Sequence, residues 1–176
     1  MKKIKKIIAI MLFVTIASCD VADTPIKLSV SNSITRDVNI SIAQTSVGTT
    51  KDIDLRETIN LADIVSNVAD ITAVKVNSIS YKYKDFSGNQ NGRIETVLLK
   101  IDTVVLANET DVNVFSEVEN ATSHLVTDAS ALTKLEDILL TNKETVMAII
   151  ASVQSDDGAM DFKMEVKVDL TVTLKN

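Results

Sequence analysis

The sequence predicts a mainly β protein: an antiparallel β-sandwich of immunoglobulin-like architecture, with about seven strands and two short helices. Three observations carry that expectation. From Phe162 to Lys175 apolar and polar residues alternate without a break, the pattern of a strand with one face on a core and one in water. Apolar runs elsewhere are punctuated by compact turn signals, Ser87-Gly88-Asn89-Gln90-Asn91-Gly92 and Ser155-Asp156-Asp157-Gly158. Only two stretches carry helical spacing, and both are short.

Taken in order, Ile26 to Ser31 alternates, and so does Asp37 to Gln44 through Val38, Ile40 and Ile42. Asn32 and Ser33 between them suit a turn, so a hairpin is expected. Thr45 to Thr50 reads as a loop around Gly48, and Ile53 with Leu55 is too short a run to classify. Asn60 followed by Asp63 resembles a capping box and opens a helix over about Leu61 to Val68. Ala73 to Phe86 is a long strand. Val74 and Val76 have one parity and Ile79, Tyr81 and Tyr83 the other, which predicts a bulge near Asn77–Ser78 that lets one strand serve two faces. Arg93 to about Leu106 is its partner in a central hairpin.

Val112 to Val118 offers a further strand, and Asn120 to Thr127 has no clear pattern. A second helix is expected from about Ala131 to Asn142, capped by Asp128 or Ser130, with Leu132, Leu135, Ile138 and Leu139 as its buried stripe. Glu144 to Val153 is apolar in both parities and belongs at the centre of a sheet. The Ser155–Gly158 turn then leads, as a hairpin, into the alternating final strand.

The amino-terminal end follows different rules. Lys2, Lys3, Lys5 and Lys6 precede an apolar run from Ile7 to Ala17. That run is about half the ~20 residues a spanning helix needs, so the pattern is that of a secretory signal. Ile16-Ala17-Ser18-Cys19 resembles the bacterial lipobox, an aliphatic residue and two small ones before a cysteine. The resemblance to bacterial lipoproteins covers the first 19 residues. It implies signal-peptidase recognition through Ile16, Ala17 and Ser18, cleavage before Cys19, and diacylglycerol and N-acyl lipid on that cysteine. An ordinary signal cut elsewhere would instead leave Cys19 as a free thiol. The domain plan is then a signal peptide over 1–18, a lipidated tether over 19–25 and a single β domain over 26–176. In style the chain is similar to small lipoproteins of Bacteroidota-type bacteria, which implies a place in the cell envelope, the outer membrane foremost, with the face undetermined.

Removing residues 1–18 removes four lysines and no acid, which takes the net charge from −6 to −10. Such a surface repels nucleic acid and anionic lipid head groups, so no nucleic-acid partner is expected. The expected partners are the membrane, through the anchor, and an unknown protein. Cys19 is the only cysteine, so no internal disulfide forms. With no Trp and 3% aromatic residues, the chain lacks the platforms that sugar-binding surfaces use.

Catalytic and metal sites are not expected. His124 is the only histidine, stands in a polar stretch, reads as solvated, and has no second histidine to share a metal. No GxSxG elbow is present. Asp156 and Asp157 supply too few oxygens for calcium and read as a turn. Asp52 and Asp54 share a strand face, where paired carboxylates serve glycosidases but more often are plain solvated charge. Tyr81 and Tyr83, flanked by Lys82 and Lys84, form a contact patch if exposed and core packing if buried. The function expected is a non-catalytic interaction or structural module. An envelope carrier or sensor of a hydrophobic ligand, and a small envelope hydrolase, are the alternatives.

Overall fold

The computed structural model describes residues 27–175. They form two antiparallel four-stranded sheets packed face to face. The strands are β1 (Leu28–Ile42), β2 (Lys51–Asn60), β3 (Ile71–Gly88), β4 (Arg93–Ile101), β5 (Val104–Asn113), β6 (His124–Leu125), β7 (Glu144–Gln154) and β8 (Met160–Leu174). Helix α1 (Val114–Glu119) lies between β5 and β6, and α2 (Ala129–Asn142) between β6 and β7. One sheet has the order β1-β8-β3-β6 and the other β2-β7-β4-β5. The expected sandwich is what forms, with eight strands instead of about seven. Its strand order is that of a jelly roll, in which the chain passes from sheet to sheet at nearly every connection.

β8 is the spine of the first sheet. Its inward residues Met160, Phe162, Met164, Val166, Val168, Leu170 and Val172 are all buried, as the alternation predicts. It pairs with β1 along its whole length, from Leu28 opposite Leu174 to Ile42 opposite Met160, and with β3 on its other side. This long template explains the first departure from expectation. Asn32 and Ser33 make no turn but run straight on within β1, because β8 offers partners to every residue from 28 to 42.

On the solvent face of that sheet the polar residues of β8 tie both neighbours down. Glu165 meets Lys82 (3.0 Å) and Lys84 (2.7 Å), and Lys84 reaches on to Asp37 of β1 at 2.8 Å. Ser33 and Ser78 both donate to Asp169, and Thr171 sits between Ser31 and Asn77.

The bulge near Asn77–Ser78 is present as a register shift between Val76 and Ser78. Its effect differs from the expected one. Val74 and Val76 before it, and Ile79, Tyr81 and Tyr83 after it, are all buried, so the extra residue keeps one strand on one core despite the change of parity.

The other departures each have an identifiable cause. Arg93 to Leu106 is not one strand. Asp102 takes a left-handed conformation (φ 51°) and donates its amide to the Val146 carbonyl, which folds the stretch into the β4–β5 hairpin and leaves Val105 half exposed. β4 pairs with β5 and β7, not with β3, so the Ser87–Gly92 turn carries the chain between sheets and no central hairpin exists. Ser155–Gly158 likewise arches from β7 in one sheet to β8 in the other.

The helix expected over Leu61–Val68 is replaced by two 3₁₀ turns, Leu61–Asp63 and Val68–Asp70. Asn60 caps the first through the Ala62 amide, but Asn67 caps a second start through the Ala69 amide and breaks the run. A segment so short has little helical stability of its own. The strand expected over Val112–Val118 ends at Asn113, whose side chain accepts from the Ser116 amide and starts α1. α2 forms as expected, with Asp128 accepting from the Ser130 and Ala131 amides and Leu135 and Leu139 fully buried. β7 is central, between β2 and β4.

Two outcomes follow. Leu170→Ala, at the buried middle of β8, should lower unfolding stability by about 2–5 kcal/mol in urea titrations followed by circular dichroism. The hydrogen bond from Lys84 holds the Glu165 carboxyl below its ordinary 4.5, with Lys82 adding to the effect. A depressed carboxyl stabilises the fold above its unfolded value and stops doing so as pH falls through its folded value. Wild-type stability should therefore drop more steeply below pH 4.5 than that of Glu165→Gln, measured as the urea midpoint against pH.

Candidate functional site

The connections sort to two ends of the sandwich. The β1–β2 loop (residues 43–50), the β3–β4 turn (89–92), the start of the α1 crossover and the β7–β8 arch (155–159) gather at one end. Hydrogen bonds join them: the Thr45 amide to the Ser155 carbonyl (3.0 Å), Gln44 to the Asp156 carbonyl (2.7 Å) and Asn113 to the Gln90 carbonyl (3.1 Å). The two 3₁₀ turns, the Asp102 hairpin and α2 occupy the opposite end, where the Leu61 amide meets the Lys143 carbonyl (2.9 Å).

Ser155 is the hub of the four-loop end. It is fully buried, its hydroxyl donates to the Gly158 carbonyl and accepts from Asn89 at 3.1 Å, and its amide donates to the Thr45 hydroxyl at 3.0 Å. Asp156 beside it accepts from the Thr45 hydroxyl, the Gly48 amide and Gln154. Burial works to raise its carboxyl, but those hydrogen bonds, Gln154 first, outweigh burial and hold it below the usual 3.8. Asp156 is thus committed to the loops, in keeping with the turn expected from sequence, while Asp157 is exposed. Gly88 lets the backbones meet here: a Cβ on it would stand 2.2 Å from the Ala159 carbonyl oxygen, at a φ of +105°. The loops enclose a shallow polar cleft of about 260 Å³ lined by Asn89, Asn91, Arg93, Gln154, Asp156 and Asp157.

A second polar cluster sits against the edge of β3. Tyr81 and Tyr83 are 6% and 2% exposed, so the contact patch they would have offered is not formed by their rings, which belong to the core. Tyr81 donates to one oxygen of Glu109 (2.7 Å) and Tyr83 to the other (3.2 Å). Burial first, and then the bond to and charge of Glu109, push both phenols well above their ordinary 10, so both stay neutral donors.

His124 is not solvated as expected. Its ring stacks on Tyr81 at 4.9 Å and 7°, with Nδ1 3.2 Å from Glu109 and Nε2 hydrogen-bonded to Glu117 at 3.0 Å. Glu109 and Glu117 were missed by sequence reasoning, and no spacing announces them. They come from β5 and α1, and only the crossover to β6 brings them to the histidine.

Asp52 and Asp54 do lie on one face of β2, but Asp54 is engaged by Arg56 at 2.8 Å, whose hydrogen bond lowers its carboxyl. Exposed and ion-paired, it is placed as solvated charge. Among the described residues no group of three or more His, Cys, Asp or Glu side chains is arranged to hold a metal ion. No described helix is long and apolar enough to cross a membrane. Ile16, Ala17, Ser18 and Cys19 lie outside the described residues.

No protein-family model matches the chain, and no curated protein matches it. Among solved structures it is similar to a decameric BFDV capsid protein, with a TM-score of 0.45 and 11% identity over 82% of this chain and 99% of that one. It is similar to a structure of Desmodium yellow mottle tymovirus at a TM-score of 0.39 and 9% identity, over 99% of this chain and 95% of that one. A 60-mer form of the BFDV capsid protein gives a TM-score of 0.38 and 10% identity, over 84% and 95% of the two chains.

The loop end gives a direct test. Ser155→Ala removes the partner of a part-buried amide and should cost about 1–3 kcal/mol. Gly88→Ala should cost a similar 1–3 kcal/mol through its left-handed backbone and the close carbonyl. Thermal unfolding of both variants against wild type measures the two effects.

Proposed function

We propose that the chain is a lipid-anchored, non-catalytic module of the cell envelope, held in a membrane, the outer membrane foremost, by acyl chains on Cys19. The module presents its four-loop end to a protein partner. The observation that carries this reading is the polarity of β1. Its first residue, Leu28, pairs with Leu174 at the α2 end, and its last, Ile42, pairs with Met160 beside the four loops. A tether entering at Leu28 therefore leaves the four-loop end pointing away from the lipid. At ~3.3 Å per residue the strand sets the two ends roughly 45 Å apart. Two or more acyl chains hold a protein at a bilayer where one alone binds only reversibly.

The core supports a structural module in preference to a carrier of an apolar ligand. Ile79, Leu99, Val153, Met160 and Leu170 fill the space between the sheets and are fully buried. The reaction groups a hydrolase needs are likewise engaged elsewhere: the one histidine lies between two glutamates and against a tyrosine ring.

Labelling cells with a radioactive or alkynyl fatty acid should tag wild-type protein and not Cys19→Ala, and the variant should leave the membrane fraction. Protease treatment of intact cells should then cut first in the four-loop end if the module faces outward, and only after outer-membrane rupture if it faces the periplasm. An untagged wild type, or a variant that stays as firmly in the membrane, overturns the anchor.

A further inference from the structure

The outer faces of the two sheets are built differently. On the first sheet every outward residue of β8 from Asp161 to Thr173 is hydrogen-bonded or ion-paired. β7, a central strand of the second sheet, points Val146, Ala148 and Ile150 outward instead, since Met147, Ile149 and Ala151 take the core side. β4 beside it sets Leu98 directly opposite Ile150. Val146 and Val105 are 44% and 50% exposed, so this face carries two of the five large apolar side chains that the described surface leaves open.

Polar residues border the apolar strip. Across the sheet the strand register gives the rows Asp54, Ile150, Leu98, Asn108 and Arg56, Ala148, Lys100, Val105. An apolar centre inside a polar rim is the make-up of a protein interface. The size is sufficient. Four strands at ~4.8 Å and the nine residues of β4 at ~3.3 Å give a face of roughly 600 Å². Two such faces bury about 1,200 Å², above the ~1,000 Å² that a specific interface needs.

The face is complementary to itself. A twofold axis running along the strands, between β7 and β4, lays β7 of one copy over β4 of the other and β2 over β5. Ile150 then meets Leu98 on both sides of the axis. Lys100 of each copy comes opposite Ala148 of the other, whose small side chain gives the lysine stem room. Its ammonium is carried toward the β2 border, where Asp52 and Asp54 stand. Within one chain Asp54 is held by Arg56 at 2.8 Å, while among the described residues Lys100 and Asp52 have no ion pair. The charges that a single chain leaves unmatched thus match across the axis.

We infer that the outer face of the second sheet is an interface between two copies of this chain, packed sheet to sheet with corresponding strands running the same way. The shared direction rests on the anchored reading above. Tethers entering at Leu28 in one membrane stand the strands along its normal and turn this face sideways, toward a neighbouring copy. Confinement to a bilayer also raises the effective concentration of one copy at the other. A lipid surface is a poorer occupant, because the face runs along the normal and its β2 border is acidic.

Cross-linking in the cells that produce the protein tests this, with two differently tagged full-length copies and a short bis-maleimide. Leu98 lies near the axis, so Leu98→Cys should give a product bearing both tags, well above wild type and above Asn39→Cys on the outer face of the first sheet. Val146→Cys, at the tethered end of the strip, should also join to its own counterpart, which only copies running the same way allow. Adding Ile150→Asp to Leu98→Cys buries an unpaired carboxylate and should lower the yield about tenfold or more. A Leu98→Cys yield no greater than that of Asn39→Cys, or a product joining the chain only to a different protein, overturns the interface. A Leu98→Cys product without a Val146→Cys product overturns the shared direction. Whether Cys19→Ala leaves the membrane is read separately from the cross-link, so the anchor and the interface can each fail alone.

Discussion

The pairing of β8 with β1 and β3 is the constraint on which the rest of the molecule depends. β8 brings seven consecutive inward apolar residues to the core and a matching row of charged and hydroxyl residues to the outer face. The inward row sets the floor on which the second sheet packs. The outward row ties in the strands that flank it: Asp169 and Thr171 each bond to both β1 and β3. Without β8 these two strands share no backbone ladder, because they are never neighbours in the sheet. The second sheet has the same design in weaker form, with β7 between β2 and β4 and a largely apolar strand on both its faces.

Given that frame, the loops divide by necessity. Antiparallel strands that alternate between sheets must turn at alternate ends. One end received the helix and 3₁₀ turns, which cap apolar side chains such as Leu61, Leu135 and Leu139. The other received short polar loops knitted together by Ser155. Buried and bonded to the β1–β2 loop, the β3–β4 turn and its own arch, this serine ties three of the loops together, and Asn113 joins the fourth through the Gln90 carbonyl. Loops cross-linked in this way lose less freedom on meeting the proposed partner than free loops would.

What was legible in the sequence was whatever a single strand or helix determines for itself. The alternation of β8, the change of parity in β3, the capping of α2 by Asp128 and the apolar character of β7 are all local patterns with local causes. What failed depended on partners. Asn32-Ser33 has turn chemistry, yet β8 runs past it and holds it straight. Asp102 looks like one polar residue in a strand, yet the Val146 carbonyl turns it into a hairpin. The two glycine-bearing turns were recognised as turns, but nothing within four or six residues says whether the next strand returns to the same sheet. The site suffered most from this limit. His124, Glu109 and Glu117 are ordinary polar residues until the β5–α1–β6 crossover folds them against Tyr81, and their chemistry exists only in three dimensions.

The place of β8 in the chain has a bearing on how the protein is made. It is the last of the eight strands, yet it is the middle of its sheet. As the polypeptide emerges in order, β1 and β3 have no common partner until β8 appears, so the first sheet closes only after the seven preceding strands have been synthesised. Such long-range closure is slow and leaves the earlier strands open in the meantime. On the export proposed for this chain, that delay keeps the polypeptide open for passage. A chain cut short of β8 has no second route to the same sheet.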